Sequence, residues 1–132
     1  MIELEPIGYV RTPFETPGEA PRQGSWDEVE GTIHVEEAYV EGLDGIEAGQ
    51  KLVVIWYADG ADRSLLTVEK RRGQGVFHSR SQSRPNPICL TTCTVLSVDG
   101  GEIRVEGVDM RDQSPVLDLK PPIGDRNRPS HD

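Results

Sequence analysis

A long run of strand-forming residues that leads into a tight turn constrains the fold of this chain most strongly. The run ICLTTCTVLSV extends from Ile88 to Val98, the DGG triplet follows at Asp99 to Gly101, and the alternating segment EIRVEGV comes next. Two β-forming segments joined by such a short glycine turn favour an antiparallel hairpin. The sequence therefore predicts a β-hairpin over residues 88–108.

The other periodic segments also have the two-residue period of strands. Alternation of apolar and polar residues predicts strands at Ile7 to Val10 and in GTIHVEEAY. Two further strands are predicted, a short polar one at Thr67 to Arg72 and a last one in PVLDLK. The continuous apolar run KLVVIWY, from Lys51 to Tyr57, predicts a central strand buried on both faces. Residues 38–49 favour a short, glycine-broken helix or turn. With about seven strands, the fold class is predicted to be all-β, a barrel or a sandwich with little helix.

The length and the terminal segments bound the organisation of the chain. Its 132 residues are enough for one modest core. The sequence has no apolar run near the roughly 18 residues that a membrane helix needs, and its first residues do not resemble a leader. We therefore expect one domain over residues 1–121, a flexible Pro-rich tail over residues 122–132, no membrane association and a cytoplasmic location.

The charge distribution combines an acidic body with one basic cluster. A formal net charge of −9 excludes a surface that is basic everywhere, as on a general nucleic-acid coating protein. Five basic residues nevertheless lie close together in the sequence: Lys70, Arg71, Arg72, Arg80 and Arg84. This cluster is a candidate anion site. Alternatively, residues 70–72 are a solvated strand edge whose charges oppose aggregation.

The cysteines and glycines give little sign of a metal or of a common nucleotide motif. Cys89 and Cys93 lie about 13 Å apart in an extended strand, which is too far for a disulfide bond. His78 is the one plausible further metal ligand nearby, so we predict buried, reduced cysteines and no metal. The GQG at residues 73–75 completes no GxGxxG fingerprint, and GK[ST] does not occur.

The pentapeptide RPNPI, which precedes the long strand, is predicted to be stiff. Arg84 and Asn86 each precede a proline, which favours extended backbone, and Pro85 and Pro87 fix their own φ angles. The Arg84 and Asn86 side chains are then held at preset angles, where the guanidinium suits a phosphate or carboxylate and the amide suits a base edge or a ribose. Alternatively, the segment is a stiff entrance to the strand and Asn86 caps a turn.

Four segments, in order along the chain, carry a family resemblance. They are IGYVRTPF, PRQG, GVFHSRSQSRPNPICLTTCTVLSV and EGVDMRDQSPVLDLKP, which together extend over residues 7–121. They resemble the TrmO family, also called YaeB-like or TsaA-like proteins, whose members show RSxxRPNPIGL and D-x-x-DGTPVLDIKPY. The resemblance implies a small single-sheet β-barrel and a homodimer that binds S-adenosylmethionine near the subunit interface. It also implies N6-methylation of threonylcarbamoyl-adenosine beside the tRNA anticodon.

The resemblance also implies which residues bind the cofactor, and it shows where this chain departs from the family. The family's cofactor positions correspond to Arg22, Gln23, Gly24, Ala58, Asp59, Arg80, Leu90, Gly107, Val108, Asp109 and Asp112. Cys89 stands where the family has glycine, and the family's DGTP reads DQSP at residues 112–115. The family's frequent Phe-His after the central strand is Ala58-Asp59 here.

Methyl transfer to a poorly nucleophilic nitrogen requires alignment and a proton acceptor. We predict that Asp112 or Asp118 accepts the proton and that Asn86 aligns the reactants. Asp118 could instead form a surface pair with Lys120. Contacts to tRNA phosphate are predicted for Lys70, Arg71, Arg72 and Arg84. Two alternatives remain: an enzyme of the same fold that methylates a small molecule or another acceptor, and an S-adenosylmethionine-binding barrel without turnover.

Overall fold

The computed structural model describes residues 1–15, 29–68 and 74–123, and these residues contain eight β-strands. The strands are β1 (Gly8–Arg11), β2 (Glu30–Val35), β3 (Lys51–Tyr57), β4 (Thr67–Val68), β5 (Gln74–Gly75), β6 (Ile88–Asp99), β7 (Glu102–Glu106) and β8 (Ser114–Lys120). Two 3-10 helices accompany them, at Glu37–Leu43 and Val76–His78. The prediction of an all-β fold with little helix is confirmed.

Six of the described strands form one closed sheet. Its order is β1-β2-β7-β6-β3-β8, and β8 pairs with β1 to close the barrel. All these neighbours are antiparallel. Strands β4 and β5 form a separate two-stranded ribbon. The single-sheet barrel is therefore confirmed, and the sandwich alternative is wrong.

Strand β6 is long because it pairs with two different strands along its length. Its first half pairs with β3, from Ile88 opposite Tyr57 to Thr94 opposite Lys51. Its second half pairs with β7, with Asp99 opposite Glu102, and the register shifts between Val95 and Ser97. The predicted hairpin over residues 88–108 is thus formed by the second half of β6. The first half carries the strand away from β7 toward the end of the barrel.

Strand β3 is central, as predicted, because it pairs with β6 on one edge and with β8 on the other. The prediction that both of its faces are buried is wrong. Leu52, Val54 and Trp56 face the interior and are buried, whereas the alternate side chains are exposed or half-buried. The wall of a small barrel has one inner face, so alternation decides which residues enter the core.

The core fills the inside of the barrel with side chains from alternate strand positions. Its fully buried members come from β1, β2, β3, β6, β7 and β8 and from the segment after β7: Val10, Ile33, Val54, Val95, Ile103, Val105, Val108, Met110 and Val116. β-Branched residues dominate this list and pack well on a pleated surface. The interior is therefore a packed core through the middle of the barrel, and a ligand site has to lie at an end or on the outside.

Several sequence predictions lie outside the described residues. Of the strand predicted at residues 67–72, the structure describes Thr67–Val68. Of the tail predicted at residues 122–132, it describes Pro122 and Ile123, which follow β8 without strand structure. Among the described residues, no helix has the length and apolar character that would let it cross a membrane.

Candidate functional site

A cavity of about 460 Å³ opens at the end of the barrel where β3 ends and β6 begins. This volume lies within the range of small-molecule sites. Three of its lining residues, Arg80, Leu90 and Asp109, are among the cofactor positions that the resemblance implied. The full lining is Trp56, Ser79, Arg80, Gln82, Arg84, Ile88, Cys89, Leu90, Thr91 and Asp109.

One wall of the cavity is the loop of residues 79–84, in which serines alternate with long polar side chains. The Ser81 N–H donates to Ser79 Oγ at 3.2 Å, and the Ser83 N–H donates to Ser81 Oγ at 3.2 Å. Short hydroxyl side chains of this kind compete for backbone groups and so shape turns. The serines hold the loop backbone, and the intervening Arg80 and Gln82 side chains are exposed along the cavity.

Arg84 holds the same loop from the inside. Its guanidinium donates to the carbonyl oxygens of Val76 at 3.0 Å, Ser79 at 3.0 Å and Ser81 at 2.9 Å. Hydrogen bonds from a charged donor are stronger than those between neutral groups. The sequence predicts that Arg84 contacts tRNA phosphate. The hydrogen bonds to backbone carbonyls favour a structural role for this guanidinium, and the phosphate contact stays a prediction.

The RPNPI segment is anchored at several points, as expected of a stiff entrance to β6. The Ala58 N–H donates to Pro87 O at 2.9 Å. Arg63, which the sequence did not single out, donates to Pro85 O at 2.7 Å and to Asn86 Oδ1 at 3.2 Å. The exposed Asn86 side chain lies outside the cavity lining. These contacts favour the structural alternative for Asn86 over its predicted catalytic role.

The carboxylate of Asp109 is the central charged group of the cavity. Thr91 Oγ1 donates to Asp109 Oδ1 at 2.6 Å, and the Trp56 indole N–H donates to Thr91 Oγ1 at 3.0 Å. Burial raises the pKa of Asp109, and the Thr91 hydrogen bond lowers it in part. Titratable groups with perturbed pKa values in a cleft are candidates for function. On β3, Trp56 lies on the same buried face as Leu52 and Val54, but nothing in the sequence linked it to Asp109.

The two cysteines are free thiols, as predicted, but Cys93 is buried whereas Cys89 is half-buried. Cys89 lines the cavity, and burial together with the negative charge of Asp109 raises its pKa to about 11. The same causes raise the pKa of the buried Cys93 to about 12. Both thiols are therefore neutral at physiological pH and poor nucleophiles. The described residues contain no group of three or more His, Cys, Asp or Glu side chains that could hold a metal ion.

Asp112 connects β1 to the segment that leads into β8. Its Oδ1 accepts the Thr12 N–H at 2.9 Å, and its own N–H donates to Phe14 O at 2.6 Å. The next residue, Gln113, adopts a φ of 73° where the family has glycine, and its N–H donates to Val10 O at 2.7 Å. The turn thus keeps a left-handed conformation without glycine, at some cost in strain. Asp112 lies outside the cavity lining and has a structural role here.

Asp118 forms the predicted surface pair. Its carboxylate lies 3.2 Å from Lys120 Nζ, and both side chains are more than half exposed. An exposed pair of this kind contributes little to stability. Among the described residues that line the cavity, Asp118 does not occur. The geometry therefore favours the surface-pair alternative over proton transfer.

The other predicted cofactor residues either do not line the cavity or lie outside the described residues. Val108 is fully buried in the core, Ala58 is buried and Asp59 is exposed. Gly107 has a φ of 100°, which glycine adopts most readily, and so turns the chain from β7 toward Asp109. The predictions for Arg22, Gln23, Gly24, Lys70, Arg71 and Arg72 lie outside the described residues.

Two exposed apolar residues of β6 line the cavity, and a third exposed apolar residue lies in the 3-10 helix that precedes the loop of residues 79–84. Phe77 is 78% exposed, Leu90 is 50% exposed and Ile88 is 39% exposed. Before Thr94, β6 has β3 on one edge, and the described part of the chain supplies no strand for the other edge. An open apolar edge readily pairs with another chain.

Comparison with known proteins relates this chain to S-adenosyl-L-methionine-binding proteins and to tRNA methyltransferases. A 48% identity over 120 residues relates the chain to a probable S-adenosyl-L-methionine-binding protein of Halobacterium salinarum, covering 89% of this chain and 96% of that protein. An S-adenosyl-L-methionine-binding protein of Archaeoglobus fulgidus is 39% identical over 120 residues, 89% of this chain and 86% of that protein. A mouse tRNA (adenine(37)-N6)-methyltransferase is 49% identical over 57 residues, 43% of this chain and 13% of that protein.

Solved structures and a family model extend this comparison. A crystal structure of TrmO aligns with a TM-score of 0.78 at 29% identity, and the match covers 93% of this chain and 58% of that one. The chain thus spans less than two thirds of the TrmO chain that it matches. The family model described as "tRNA-methyltransferase O N-terminal domain" matches residues 9–126. The chain belongs to this family, and the predicted resemblance is confirmed.

Proposed function

We propose that this protein is an S-adenosylmethionine-dependent methyltransferase whose cofactor binds in the cavity between the loop of residues 79–84 and Asp109. One observation carries the proposal: Arg80, Leu90 and Asp109, which the resemblance assigned to the cofactor from three distant segments, line one cavity. The archaeal relatives, which match this chain over most of their length, are named for S-adenosyl-L-methionine binding.

The lining of the cavity fits the chemistry of this cofactor. The Asp109 carboxylate complements a positively charged sulfonium or ammonium group, and the exposed Arg80 guanidinium complements a carboxylate. Ile88 and Leu90 offer apolar surface to a purine ring. When it is bound, the cofactor supplies a methyl group on a positively charged sulfur.

Methylation of a nitrogen requires this chain to accept a proton. A carbon–nitrogen bond forms, a carbon–sulfur bond breaks and leaves its electron pair on sulfur, and the N–H proton passes to a base. We assign this base to Asp109, because it is the carboxylate that lines the cavity and because a raised pKa makes a carboxylate a better proton acceptor. Asp112 and Asp118 are less suitable, since the first receives the Thr12 N–H and the second pairs with Lys120.

The proposed acceptor is tRNA, at N6 of threonylcarbamoyl-adenosine beside the anticodon. The family model and the mouse and rat relatives named tRNA (adenine(37)-N6)-methyltransferase support a tRNA substrate. Because backbone carbonyls of its own loop accept hydrogen bonds from Arg84, we assign the phosphate contacts to Lys70, Arg71 and Arg72. A cytoplasmic location accords with this substrate.

We also propose that the protein is a homodimer. The exposed apolar side chains of Phe77, Ile88 and Leu90 support an interface. So does the first half of β6, which has a strand partner on one edge alone among the described residues. Phe77→Glu should produce a monomer in sedimentation velocity, whereas Leu4→Glu, at a similarly exposed leucine on the N-terminal segment, should leave the mass unchanged. A monomeric wild type at micromolar concentration with cofactor present would refute the dimer.

A second candidate is a barrel that binds the cofactor without turnover, which the names of the archaeal relatives favour. Nucleoside analysis of bulk tRNA before and after incubation with the protein and S-adenosylmethionine separates the candidates. Methylated threonylcarbamoyl-adenosine supports the proposed function. Unchanged tRNA with cofactor turnover in cell extract indicates another acceptor, and binding without turnover indicates a binding protein.

The placement of the cofactor can be tested without turnover. We expect Arg80→Ala and Gln23→Ala to weaken S-adenosylmethionine binding in calorimetry, since Arg80 lines the cavity and the resemblance places Gln23 at the cofactor. Unchanged affinity in both variants would show that the proposed pocket is wrong.

A further inference from the structure

A chain of two hydrogen bonds runs from the barrel interior to the cavity. It begins at the buried indole of Trp56, passes through the buried hydroxyl of Thr91 and ends at Asp109 Oδ1, with donor–acceptor distances of 3.0 Å and 2.6 Å. Val54 and Thr91 are paired across β3 and β6, and Trp56 lies opposite Cys89, so the strand register brings the indole and the hydroxyl together.

The order of these groups fixes the direction of both protons. An indole N–H can donate but not accept, and a hydroxyl has a single proton and two lone pairs. Since the Thr91 oxygen receives the Trp56 N–H, its own proton is directed at Asp109. A distance of 2.6 Å is typical of a hydroxyl that donates to an ionised carboxylate. The hydrogen bond from Trp56 therefore orients the Thr91 hydroxyl so that it donates to Asp109.

After burial, the hydrogen bond from Thr91 is the largest influence on the pKa of Asp109. Burial favours the neutral carboxyl and raises its pKa, whereas the Thr91 hydrogen bond and the Asp109 N–H lower it. The nearby thiols Cys89 and Cys93, on β6, stay neutral because their pKa values are raised to about 11 and about 12. Two positively charged side chains line the cavity, Arg80 and Arg84, and both belong to the loop of residues 79–84. The charge of Lys51 acts on Cys93, whose pKa it lowers in part.

We propose that Trp56 and Thr91 are positioning residues that hold Asp109 as an ionised proton acceptor of fixed orientation. This inference rests on the proposed function, in which Asp109 takes the proton from the methyl acceptor. Trp56 acts through Thr91, and Thr91 acts through Asp109. Neither has to touch the substrate to control the protonation state and direction of the carboxylate.

The test uses substitutions that remove one hydrogen bond at a time. Thr91→Val removes the hydroxyl at nearly constant shape, Thr91→Ser keeps it, and Trp56→Phe removes the indole donor while keeping an aromatic ring. Thr94→Val is the matched control on the same strand, because it removes a hydroxyl that accepts from Lys51 at 2.9 Å, outside the cavity lining.

The first readout is the titration of the Asp109 carboxyl carbon, followed by NMR in the free protein and assigned with Asp109→Asn. We expect Thr91→Val to raise the midpoint by about one pH unit and Trp56→Phe to raise it less. Thr91→Ser and Thr94→Val should leave it unchanged. Equal midpoints in wild type, Thr91→Val and Trp56→Phe would overturn the proposal. If Thr91→Val does not fold, the Trp56→Phe midpoint decides.

The second readout is the pH profile of tRNA methylation. In Thr91→Val, the pH at which kcat reaches half of its maximum should rise by about one unit, and kcat should return to the wild-type value at pH values above this midpoint. Thr91→Ser should restore the profile. A Thr91→Val profile parallel to that of wild type would overturn the positioning role. Absence of methylation in wild type would count against the proposed function, and the carboxyl titration alone would then decide on the positioning of Asp109.

Discussion

The two ends of strand β3 both border concave surfaces, and the charged groups at these two ends differ in their exposure to water and in their partners. At the start of β3 lies a groove of about 1050 Å³, bordered by the 3-10 helix Glu37–Leu43 and the end of β8. At the other end lies the cavity of about 460 Å³ around Asp109. The larger surface is therefore not the one with the candidate chemistry.

The two lysines that line the groove are exposed and have polar partners. Lys51 donates to Thr94 at 2.9 Å, and Lys120 lies 3.2 Å from the exposed Asp118. In the cavity, by contrast, burial raises the pKa of Asp109, and an internal hydroxyl contacts it. A partly buried carboxylate in a cleft with both polar and apolar lining residues is a better indicator of a functional site than the volume of the cleft is.

The largest expected difference between the two ends is in catalysis. Asp109→Asn should lower kcat for tRNA methylation by roughly 10²–10⁴-fold, the usual range for loss of a general base. Asp44→Asn, at an exposed carboxylate that lines the groove, should keep wild-type turnover. Steady-state assays of both variants measure the contrast, and similar losses in the two would remove the distinction between the ends.

The same substitution should have the opposite effect on stability. Because the pKa of Asp109 is raised in the folded state, the stability that its neutral form contributes is present below the unfolded pKa and is lost as the pH rises through the folded pKa. At pH 7 the permanently neutral Asp109→Asn should therefore melt at a higher temperature than wild type, with no such gain at pH 3. A lower melting temperature at pH 7 would mean that the carboxylate is not desolvated.

The next largest effect concerns the thiol in the cavity. With a pKa of about 11 instead of the ordinary 9, Cys89 has roughly 100-fold less thiolate near pH 8, and alkylation by iodoacetamide should be slower by a similar factor than for a free cysteine. The rate should rise with pH until about 11. Mass spectrometry locates the label, and the more deeply buried Cys93 should react later. Rapid labelling of Cys89 at pH 7 would show that this end is as well solvated as the groove.

A smaller effect is expected from the loop that walls the cavity. Arg84→Ala removes the donor to the carbonyls of Val76, Ser79 and Ser81, and such a loss costs about 1–3 kcal/mol. We expect a lower melting temperature and about tenfold weaker S-adenosylmethionine binding in calorimetry. Arg63→Ala, which removes more exposed bonds to the RPNPI segment, should affect cofactor binding less.

The salt dependence of tRNA affinity separates this structural role from the phosphate contact that the sequence suggested. If Arg84 touches no phosphate, plots of log affinity against log salt for wild type and Arg84→Ala should be parallel. If the slope of log affinity against log salt is about one unit flatter in Arg84→Ala than in wild type, Arg84 contacts a phosphate.

The strands and part of the site could be predicted from the sequence because they depend on local periodicity and on ordered family segments. Alternation and runs of strand-forming residues predicted the barrel strands, and the resemblance pointed to Arg80 and Asp109, which line one cavity in the structure. The role of Arg84 could not be predicted, because its acceptors are backbone carbonyls that converge when the loop closes. Likewise, Trp56 and Thr91 are 35 residues apart and meet through the register of β3 and β6. The sequence also could not show which of three carboxylates, Asp109, Asp112 or Asp118, lines the cavity, because this depends on how the segment after β7 crosses the end of the barrel.

The smallest effect is expected in the groove. Lys51→Met removes an exposed hydrogen bond to Thr94, which should change the free energy of unfolding by less than about 1 kcal/mol. Turnover and S-adenosylmethionine affinity should stay within about twofold of wild type, a free-energy difference of roughly 0.4 kcal/mol. Urea unfolding and calorimetry check both, and a tenfold loss of cofactor affinity would place the ligand in the groove.

Titration of the isotope-labelled protein with S-adenosylmethionine, followed by amide and indole NMR signals, tests the location of the site most directly. The chain has two tryptophans, so Trp56→Phe assigns the Trp56 indole signal. We predict saturable shifts of this indole N–H and of the Leu90 and Asp109 amides, with unmoved amides at Gly45, Gly49 and Lys120 in the groove. Shifts confined to Gly45, Gly49 and Lys120 would contradict the assignment of the cavity as the cofactor site.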